Sequence, residues 1–191
     1  LNLEQAVYVA TLLEPQKKVD VLTELDAETK LKFLAGYSNN EIANDFFFYL
    51  DSDDAADILN SMGTAEGKEI LHLIKDKDHS KNIASLLKFP ENTAGALMAK
   101  ELIKVKHNWT VKQCTEEIRQ QAEEVSKVYT AYVVDEYDEL VGWVSLKAIL
   151  LNKESTKVEK ILNPNIIYEN TYSSGEEVAN TMQKYDLVAL P

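Results

Sequence analysis

The residues of this sequence whose types and spacing could do chemistry are acidic, and the chemistry open to them is cation binding. Asp51, Asp53 and Asp54 open a predicted helix, where the helix macrodipole favours acids by about 0.3–1 kcal/mol with no metal involved. Asp57 follows Asp53 by one turn, beyond the main reach of the dipole, so the two carboxylates can share one helix face. Asp186 ends another predicted helix, where an acid is disfavoured. Asp57 and Asp186 are therefore harder to explain without a cation than the first-turn acids.

The overall charge is compatible with cations as binding partners and argues against polyanionic partners. The 191 residues carry a formal net charge of −12. This argues against DNA, RNA or an anionic membrane as a main partner, because those surfaces attract Lys and Arg. No apolar run approaches the roughly 18–20 residues that span a bilayer. The single Cys114 cannot form an internal disulfide, which suits a reducing cytoplasm.

Catalysis has little support in the sequence. The three histidines, His72, His79 and His107, lack metal-protease spacing, and the six glycines form no phosphate-binding loop. Cys114 falls on the apolar face of its predicted helix, so we expect it to be buried and inert. The sequence thus predicts a protein that is not an enzyme.

The first half predicts a stack of short helices. Segments of about twelve residues begin at Asp26, Asn39, Asp51 and Gly63, and each opens with a helix-capping or turn residue before it becomes apolar. Such short helices are unstable alone and must pack on one another. Residues 1–88 are predicted to form an all-α right-handed superhelix. A plain helical bundle is the alternative, and the sequence barely separates the two.

The second half predicts a βαββα module that begins twice. Periodicity and capping signals place its elements as follows: a strand at 102–105, a helix capped by Thr110 that runs to about Glu124 with Ala122 on its apolar face, strands at 129–134 and 140–144, and a short helix capped by Ser145. The order restarts about 64 residues later, where Ser174 corresponds to Thr110, and the next strand begins at Leu187.

A tandem βαββα repeat resembles a pair of CBS (cystathionine-β-synthase-type) domains. We therefore predict an α+β multidomain chain. Its expected parts are a helical-repeat domain at 1–88, a connector at 89–98, a first CBS half at 99–155 and a truncated second CBS half at 156–191.

The junction Phe-Pro-Glu-Asn-Thr-Ala-Gly-Ala-Leu-Met at 89–98 narrows the resemblance. It is similar to the link between the helical and CBS domains of MgtE-type magnesium transporters, and the segments at 132–135, 140–142, 161–164 and 176–179 continue the match. The resemblance implies a cytoplasmic, magnesium-sensing regulatory region that is homodimeric through its CBS domains and is followed by a membrane-spanning domain in the full-length protein.

The same resemblance implies Mg²⁺ as the cofactor and, residue by residue, a set of ligands. The implied ligands are Asp53, Asp57 and Asp20 in the helical domain, Ala96 through its carbonyl at the junction, and Glu176, Gln183 (through its carbonyl) and Asp186 in the second CBS half. Ser174 stands where the family can carry an Asp that faces the pore, so that site is weakened here.

A mechanism follows from the charges. Facing carboxylates repel by about 1 kcal/mol per close pair in water. At low Mg²⁺ we expect the helical domain to move away from the CBS dimer. Bridging ions at high Mg²⁺ would neutralise the acids, close the helical domain onto the dimer and gate the pore, which is a population shift.

Two alternatives remain open. The first is a CBS-type adenine-nucleotide sensor that regulates another effector. Such domains use a Ser/Thr-x-x-Asp run, but here the run is Ser145-Leu-Lys-Ala148, so the ribose hydroxyls lose their acceptor and the sequence argues against nucleotide. The second is a helical-repeat interaction scaffold, which leaves the βαββα half unexplained.

Overall fold

The structure, a computed structural model, describes residues 3–121 and 130–191. The chain divides into two compact units, Leu1–Lys100 and Glu101–Pro191. Helix α8, Ala94–Leu97, falls within the predicted connector and belongs to the first unit. No helix in the described part of the chain is both long and apolar enough to cross a membrane. The domain bounds drawn from the sequence stay a prediction.

The named secondary-structure elements of the first unit, over its described residues, are all helices. Its elements are α1 (Leu3–Thr11), α2 (Pro15–Thr23), α3 (Ala27–Leu34), α4 (Asn39–Glu41) with a π-helical turn (Ile42–Phe46), α5 (Ser52–Ser61), α6 (Thr64–Leu73), α7 (Lys77–Leu86) and α8 (Ala94–Leu97).

Capping residues mark where these helices begin. Three of the predicted starts, Asp26, Asp51 and Gly63, are helix N-caps. The start predicted at Asn39 lies one residue late, because Ser38 forms a reciprocal capping box with Glu41 that satisfies two helix-end donors.

The core of the first unit is one cluster of buried side chains that come from α1–α3, the π-helical turn, α5–α7 and the loops beside them. The rings of Phe33, Tyr37 and Phe46 meet at centroid distances of 4.8–6.1 Å, within the range that favours tilted and edge-on pairs. Phe47 is fully buried beside them, whereas Phe48 is 56% exposed.

The second unit combines a small sheet with helices. Its elements are β1 (Lys104–Lys106), α9 (Val111–Gln121), β2 (Thr130–Val134), β3 (Leu140–Ser145), α10 (Leu146–Leu151), a 3-10 turn (Val158–Lys160) and α11 (Gly175–Tyr185). Strand β2 is central, parallel to β1 and antiparallel to β3. A helical first part followed by a βαββα order confirms the predicted fold class.

Some predicted bounds in the second unit are wrong. The first strand begins at Lys104 rather than at 102, although Ile103 is buried and its carbonyl accepts a hydrogen bond from the Tyr132 amide. The strand predicted from Leu187 is not formed, and the Leu187 amide instead donates to the Met182 carbonyl at the end of α11. The predicted helix end near Glu124 and its Ala122 lie outside the described residues.

The segment that begins the second repeat is hydrogen-bonded to β3. Trp143 and Asn163 exchange both backbone hydrogen bonds, at 3.1 and 2.8 Å, and the indole N–H of Trp143 donates to the Asn165 carbonyl at 3.1 Å. A Cβ on Gly142 would meet the Asn163 carbonyl oxygen at 2.7 Å. Only glycine therefore allows this close backbone approach.

Candidate functional site

A cavity of about 330 Å³, lined by polar and apolar groups in nearly equal measure, lies in the first unit. Helices α3 and α5 and the segment around α8 form its walls. The polar groups that line it come from Lys30, Asp57, Asn60, Ser61, Glu91 and Asn92, with Ala96 and Leu97 beside them. Two of the predicted magnesium ligands, Asp57 and Ala96, are thus brought to one cavity.

Helix α5 places Asp57 on this cavity because its opposite face is buried. Ala55, Ala56 and Leu59 pack into the core, and Asp57 is left exposed between them. Partial burial raises the pKa of the Asp57 carboxyl, and the Asp54 carboxylate raises it further. The ionised form of Asp57 is therefore disfavoured and would gain from a nearby cation.

Two other charged residues of the cavity act on Asp57 with opposite signs. The Lys30 ammonium lowers the Asp57 pKa, whereas the Glu91 carboxylate raises it. Sequence reasoning missed both residues as members of the site. Glu91 could have been found, since it lies in the junction that carries the family resemblance.

The junction segment reaches the cavity through a tight turn. Asn92 has a φ of 61°, a left-handed conformation that Asn tolerates better than most residues. The Thr93 hydroxyl donates to the Pro90 carbonyl at 2.7 Å, and Thr93 is the N-cap residue of α8. This turn places Glu91 and Ala96 together at the cavity wall.

Asp53 lies one turn before Asp57 on α5 but does not line the cavity. Its Oδ1 atom is buried and has no hydrogen-bond partner within the part of the chain that the structure describes. Burial raises the pKa of Asp53 to about 6; the amide of Asp54 opposes the shift, and the Asp54 and Asp51 carboxylates add to it. A buried carboxylate oxygen without a partner is costly, and a bound cation would offset that cost.

Asp20 is not brought to the cavity. It lies exposed on α2, and its carbonyl accepts a hydrogen bond from the Thr23 hydroxyl at 3.0 Å. The structure therefore places two predicted ligands of the first unit together and leaves Asp20 and Asp53 apart from them.

The three predicted ligands of the second unit all lie exposed on or beside α11. Glu176 and Asp186 occupy opposite ends of the helix, about 15 Å apart at the usual helical rise. The Gln183 carbonyl accepts the Asp186 amide at 3.4 Å, so only Gln183 and Asp186 are neighbours. Ser174 caps the helix in a reciprocal box with Glu177.

The backbone conformation at position 186 gives a reason for an Asp there. It ends α11 in the left-handed region, at φ 52° and ψ 49°. Asp and Asn adopt this conformation more readily than other residues with a side chain. The argument that Asp186 needs a cation is correspondingly weaker than the sequence suggested.

The donor set of the cavity suits one kind of metal. No group of three or more His, Cys, Asp or Glu side chains that could hold a metal occurs among residues 3–121 and 130–191. The cavity instead offers two carboxylates, amide and hydroxyl oxygens and a backbone segment. Mg²⁺ takes oxygen ligands, keeps several waters and needs only one or two carboxylates, so these residues fit it.

The residues considered for other chemistry have structural roles. The Ser145 hydroxyl accepts the Ala148 amide at 3.1 Å and so caps α10, as predicted. Cys114 is fully buried, as predicted, and burial raises the pKa of its thiol to about 11. A thiol held protonated in this way is a poor nucleophile.

Comparison with family models and known proteins gives one consistent result. The MgtE intracellular N domain matches residues 1–92, and the CBS domain matches residues 94–154. The magnesium transporter MgtE of Thermus thermophilus is 32% identical over 190 residues, and MgtE of Bacillus subtilis is 28% identical over 174 residues. The alignments cover 98% and 90% of this chain but only 42% and 38% of those relatives, so the chain spans less than half of their length.

Two solved structures resemble the whole chain. A crystal structure of the cytosolic domain of the Mg²⁺ channel MgtE in complex with ATP has a TM-score of 0.92 at 30% identity, covering 100% of this chain and 77% of that one. The soluble part of a magnesium transporter has a TM-score of 0.90 at 27% identity, covering 100% and 75%. These relatives are transport proteins rather than enzymes. The chain therefore belongs to the MgtE family of magnesium transporters and corresponds to the cytosolic domain of that family.

Proposed function

We propose that this chain is the magnesium-sensing regulatory region of a membrane magnesium transporter and that Mg²⁺ binds the cavity lined by Asp57, Glu91 and Ala96. The observation that carries the proposal is the meeting of these three residues, from α5 and the junction, at one cavity. The names of the relatives support magnesium as the ion.

The charges of the cavity explain why a divalent cation would be taken up. Desolvation and the Glu91 carboxylate both disfavour the ionised form of Asp57. A cation between two carboxylates removes their repulsion and replaces lost hydration with direct attraction. Mg²⁺ would be held by one or both carboxylates and by water, and its hydration shell would be shared with the amide and hydroxyl groups of Asn60 and Ser61.

Binding would control the position of the helical domain. The remaining predicted ligands, Asp53, Asp20, Glu176, Gln183 and Asp186, are spread over both units. In our proposal several weakly held ions bridge the acidic surfaces, close the helical domain onto a homodimer of CBS domains, and so close the pore of the membrane-spanning domain in the full-length protein. Ions that bind the closed arrangement better shift the population toward it.

Small-angle scattering of the purified chain tests this function. We expect a smaller radius of gyration in about 10 mM Mg²⁺ than in EDTA, because bridged acids no longer hold the domains apart. Asp57→Asn should reduce the change. Glu69→Gln, which removes an exposed acid outside the cavity, should respond like the wild type. Identical wild-type curves in Mg²⁺ and EDTA would contradict the proposal.

Adenine-nucleotide sensing is a second candidate because the related cytosolic domain was crystallised with ATP. The Ser145 hydroxyl of this chain is engaged as a helix cap, and Ala148 stands where the nucleotide-binding run has Asp. Calorimetry with AMP or ATP in EDTA, and with Mg²⁺ alone, separates the two candidates. We expect heat from Mg²⁺ that depends on Asp57 and none from nucleotide in EDTA.

A further inference from the structure

The cavity contains a cation of its own. Lys30, on α3, lines the same space as Asp57 and Glu91. It is half-buried, and its ammonium forms no ion pair within 4.0 Å among the residues that the structure describes. It still acts electrostatically on Asp57. Lys30 therefore shares the lining of one cavity with two carboxylates and forms an ion pair with neither of them in the described part of the chain.

Helix α3 contains a second lysine with a different environment. Lys32 pairs with Glu28 on the exposed side of the same helix and does not line the cavity. Its pairing is local, one helical turn apart, and of the kind that contributes only a few tenths of a kcal/mol. The two lysines thus carry equal charge on one helix but differ in access to the cavity.

An ammonium and a magnesium ion cannot both sit close to these carboxylates at low cost. The ammonium is a compact point charge on a flexible four-carbon stem, so it can approach a carboxylate or move away into water. When Mg²⁺ is absent, it offsets part of the repulsion between Asp57 and Glu91. When Mg²⁺ enters, Lys30 is repelled by the divalent ion and must withdraw.

We propose that Lys30 is the internal counter-ion of this cavity and competes with Mg²⁺ for Asp57 and Glu91, so that it sets the Mg²⁺ concentration at which the cavity fills. The inference rests on the proposed function and adds to it an affinity-setting residue. Lys30 is here a positioning and competing charge rather than a magnesium ligand, because an ammonium has no acceptor with which to bind a cation.

The test is a Mg²⁺ titration of the whole chain, followed by the backbone amide NMR signals of Ser61 and Asn92 at the cavity wall. Lys30→Gln should lower the apparent Kd for Mg²⁺ by about three- to tenfold, as expected when one nearby positive charge is removed from a site of water-like dielectric. Lys30→Arg keeps the charge and should stay close to the wild type. Lys32→Gln removes the same charge from the same helix and should change the Kd by less than twofold.

Thermal unfolding, measured in EDTA and in Mg²⁺, distinguishes a lysine that competes with the ion from a lysine that only stabilises the fold. In EDTA, Lys30→Gln should unfold at a lower temperature than Lys32→Gln, because Asp57 and Glu91 lose their counter-ion. In saturating Mg²⁺ this difference should disappear or reverse, because the divalent ion takes over that role. A loss of stability equal in EDTA and in Mg²⁺ would overturn the inference.

The outcomes distinguish this inference from the proposed function. In one outcome, Asp57→Asn abolishes the Mg²⁺-dependent shifts, whereas Lys30→Gln and Lys32→Gln alter the Kd equally. Mg²⁺ then fills the cavity but Lys30 does not compete with it, so only the inference about Lys30 is overturned. If Asp57→Asn leaves the shifts of Ser61 and Asn92 unchanged, the ion binds elsewhere and both proposals are overturned. In the wild type, the side-chain signals of Lys30 should move along the same titration curve, which needs no variant to fold.

Discussion

Phe89 lies against Gly95 so closely that a Cβ on Gly95 would come within 2.5 Å of the Cδ1 atom of the Phe89 ring. Gly95 is buried, and it is followed directly by Ala96 at the cavity wall. The aromatic residue and the glycine of the junction are thus one packing unit that fixes where the Ala96 backbone lies. This contact gives a physical reason for the residue types that carry the family resemblance.

Replacing Gly95 by alanine should therefore damage both packing and binding. A Cβ at 2.5–2.8 Å from three ring atoms forces the ring or the backbone to move, and such overpacking costs about 1–3 kcal/mol. We expect Gly95→Ala to lower the free energy of unfolding in urea and to weaken Mg²⁺ binding at the cavity.

Gly67 provides the matched control for that substitution. It lies inside α6, where the nearest atom to an added Cβ is the Leu59 carbonyl oxygen at 3.4 Å. Alanine is favoured over glycine in a helix interior by up to about 1 kcal/mol, so Gly67→Ala should be neutral or stabilising. Equal destabilisation by both substitutions would contradict the role given to the Phe89–Gly95 contact.

The raised pKa of Asp53 predicts a pH-dependent stability. Its folded value of about 6 lies above the reference value of 3.8, so the folded state binds the proton more tightly than the unfolded state. The stabilisation is fully present below about pH 4 and is lost as the pH rises through 6. In EDTA at pH 7, Asp53→Asn should be more stable than the wild type by about 1 kcal/mol, a figure reduced because solvent still screens a half-buried carboxyl.

The measurement is urea unfolding in EDTA at pH 4, 5.5 and 7, where the gap between Asp53→Asn and the wild type should grow with pH. Asp78 supplies a control of opposite sign, because its pairing with Lys81 lowers its pKa. Asp78→Asn should lose stability relative to the wild type as the pH rises above 4. A gap for Asp53→Asn that does not vary with pH would show that the buried carboxylate is not destabilising.

Asp186 allows a conformational role to be separated from a metal-binding role. Its left-handed backbone, at φ 52°, is tolerated by Asn but costs alanine roughly 1 kcal/mol. In EDTA, Asp186→Ala should therefore be less stable than the wild type, whereas Asp186→Asn should match it. If Asn and Ala variants are equally stable in EDTA, the backbone conformation does not explain the residue.

The short helices of the first unit could be predicted because their signals are local. A cap residue, acid in the first turn and an apolar stripe all lie within ten residues, and Asp26, Asp51 and Gly63 are N-caps as predicted. The start near Asn39 was missed by one residue because Ser38 competes for the cap through Glu41.

The strand bounds of the second unit were harder to predict, since a strand is defined by its partner. Ile103 is as buried as a strand residue, yet the β1 ladder begins at Lys104. The residues from Leu187 onward are apolar, as in a strand, but the Leu187 amide donates a hydrogen bond to the Met182 carbonyl at the end of α11. Local sequence does not determine which neighbouring segment forms a hydrogen bond with a given backbone group.

The candidate site likewise combines features that local sequence predicts with features that depend on tertiary packing. The (i, i+4) spacing of Asp53 and Asp57 is local and could be read from the sequence, as could the helix-cap role of Ser145. The meeting of Asp57 with Glu91 depends on how α5 packs against the junction. The presence of Lys30 in the same cavity depends on α3, and no sequence period links the three residues.

The most direct test of the account is to locate a bound divalent ion. Mn²⁺ shares the oxygen preference of Mg²⁺ and broadens NMR signals near it, so substoichiometric Mn²⁺ should broaden the amides of Asn60, Ser61 and Asn92, and excess Mg²⁺ should restore them. Asp57→Asn should reduce this broadening at least several-fold, whereas Glu69→Gln should leave it unchanged. Broadening that spares these three amides, or that survives Asp57→Asn, would contradict the claim that the cavity is a magnesium site.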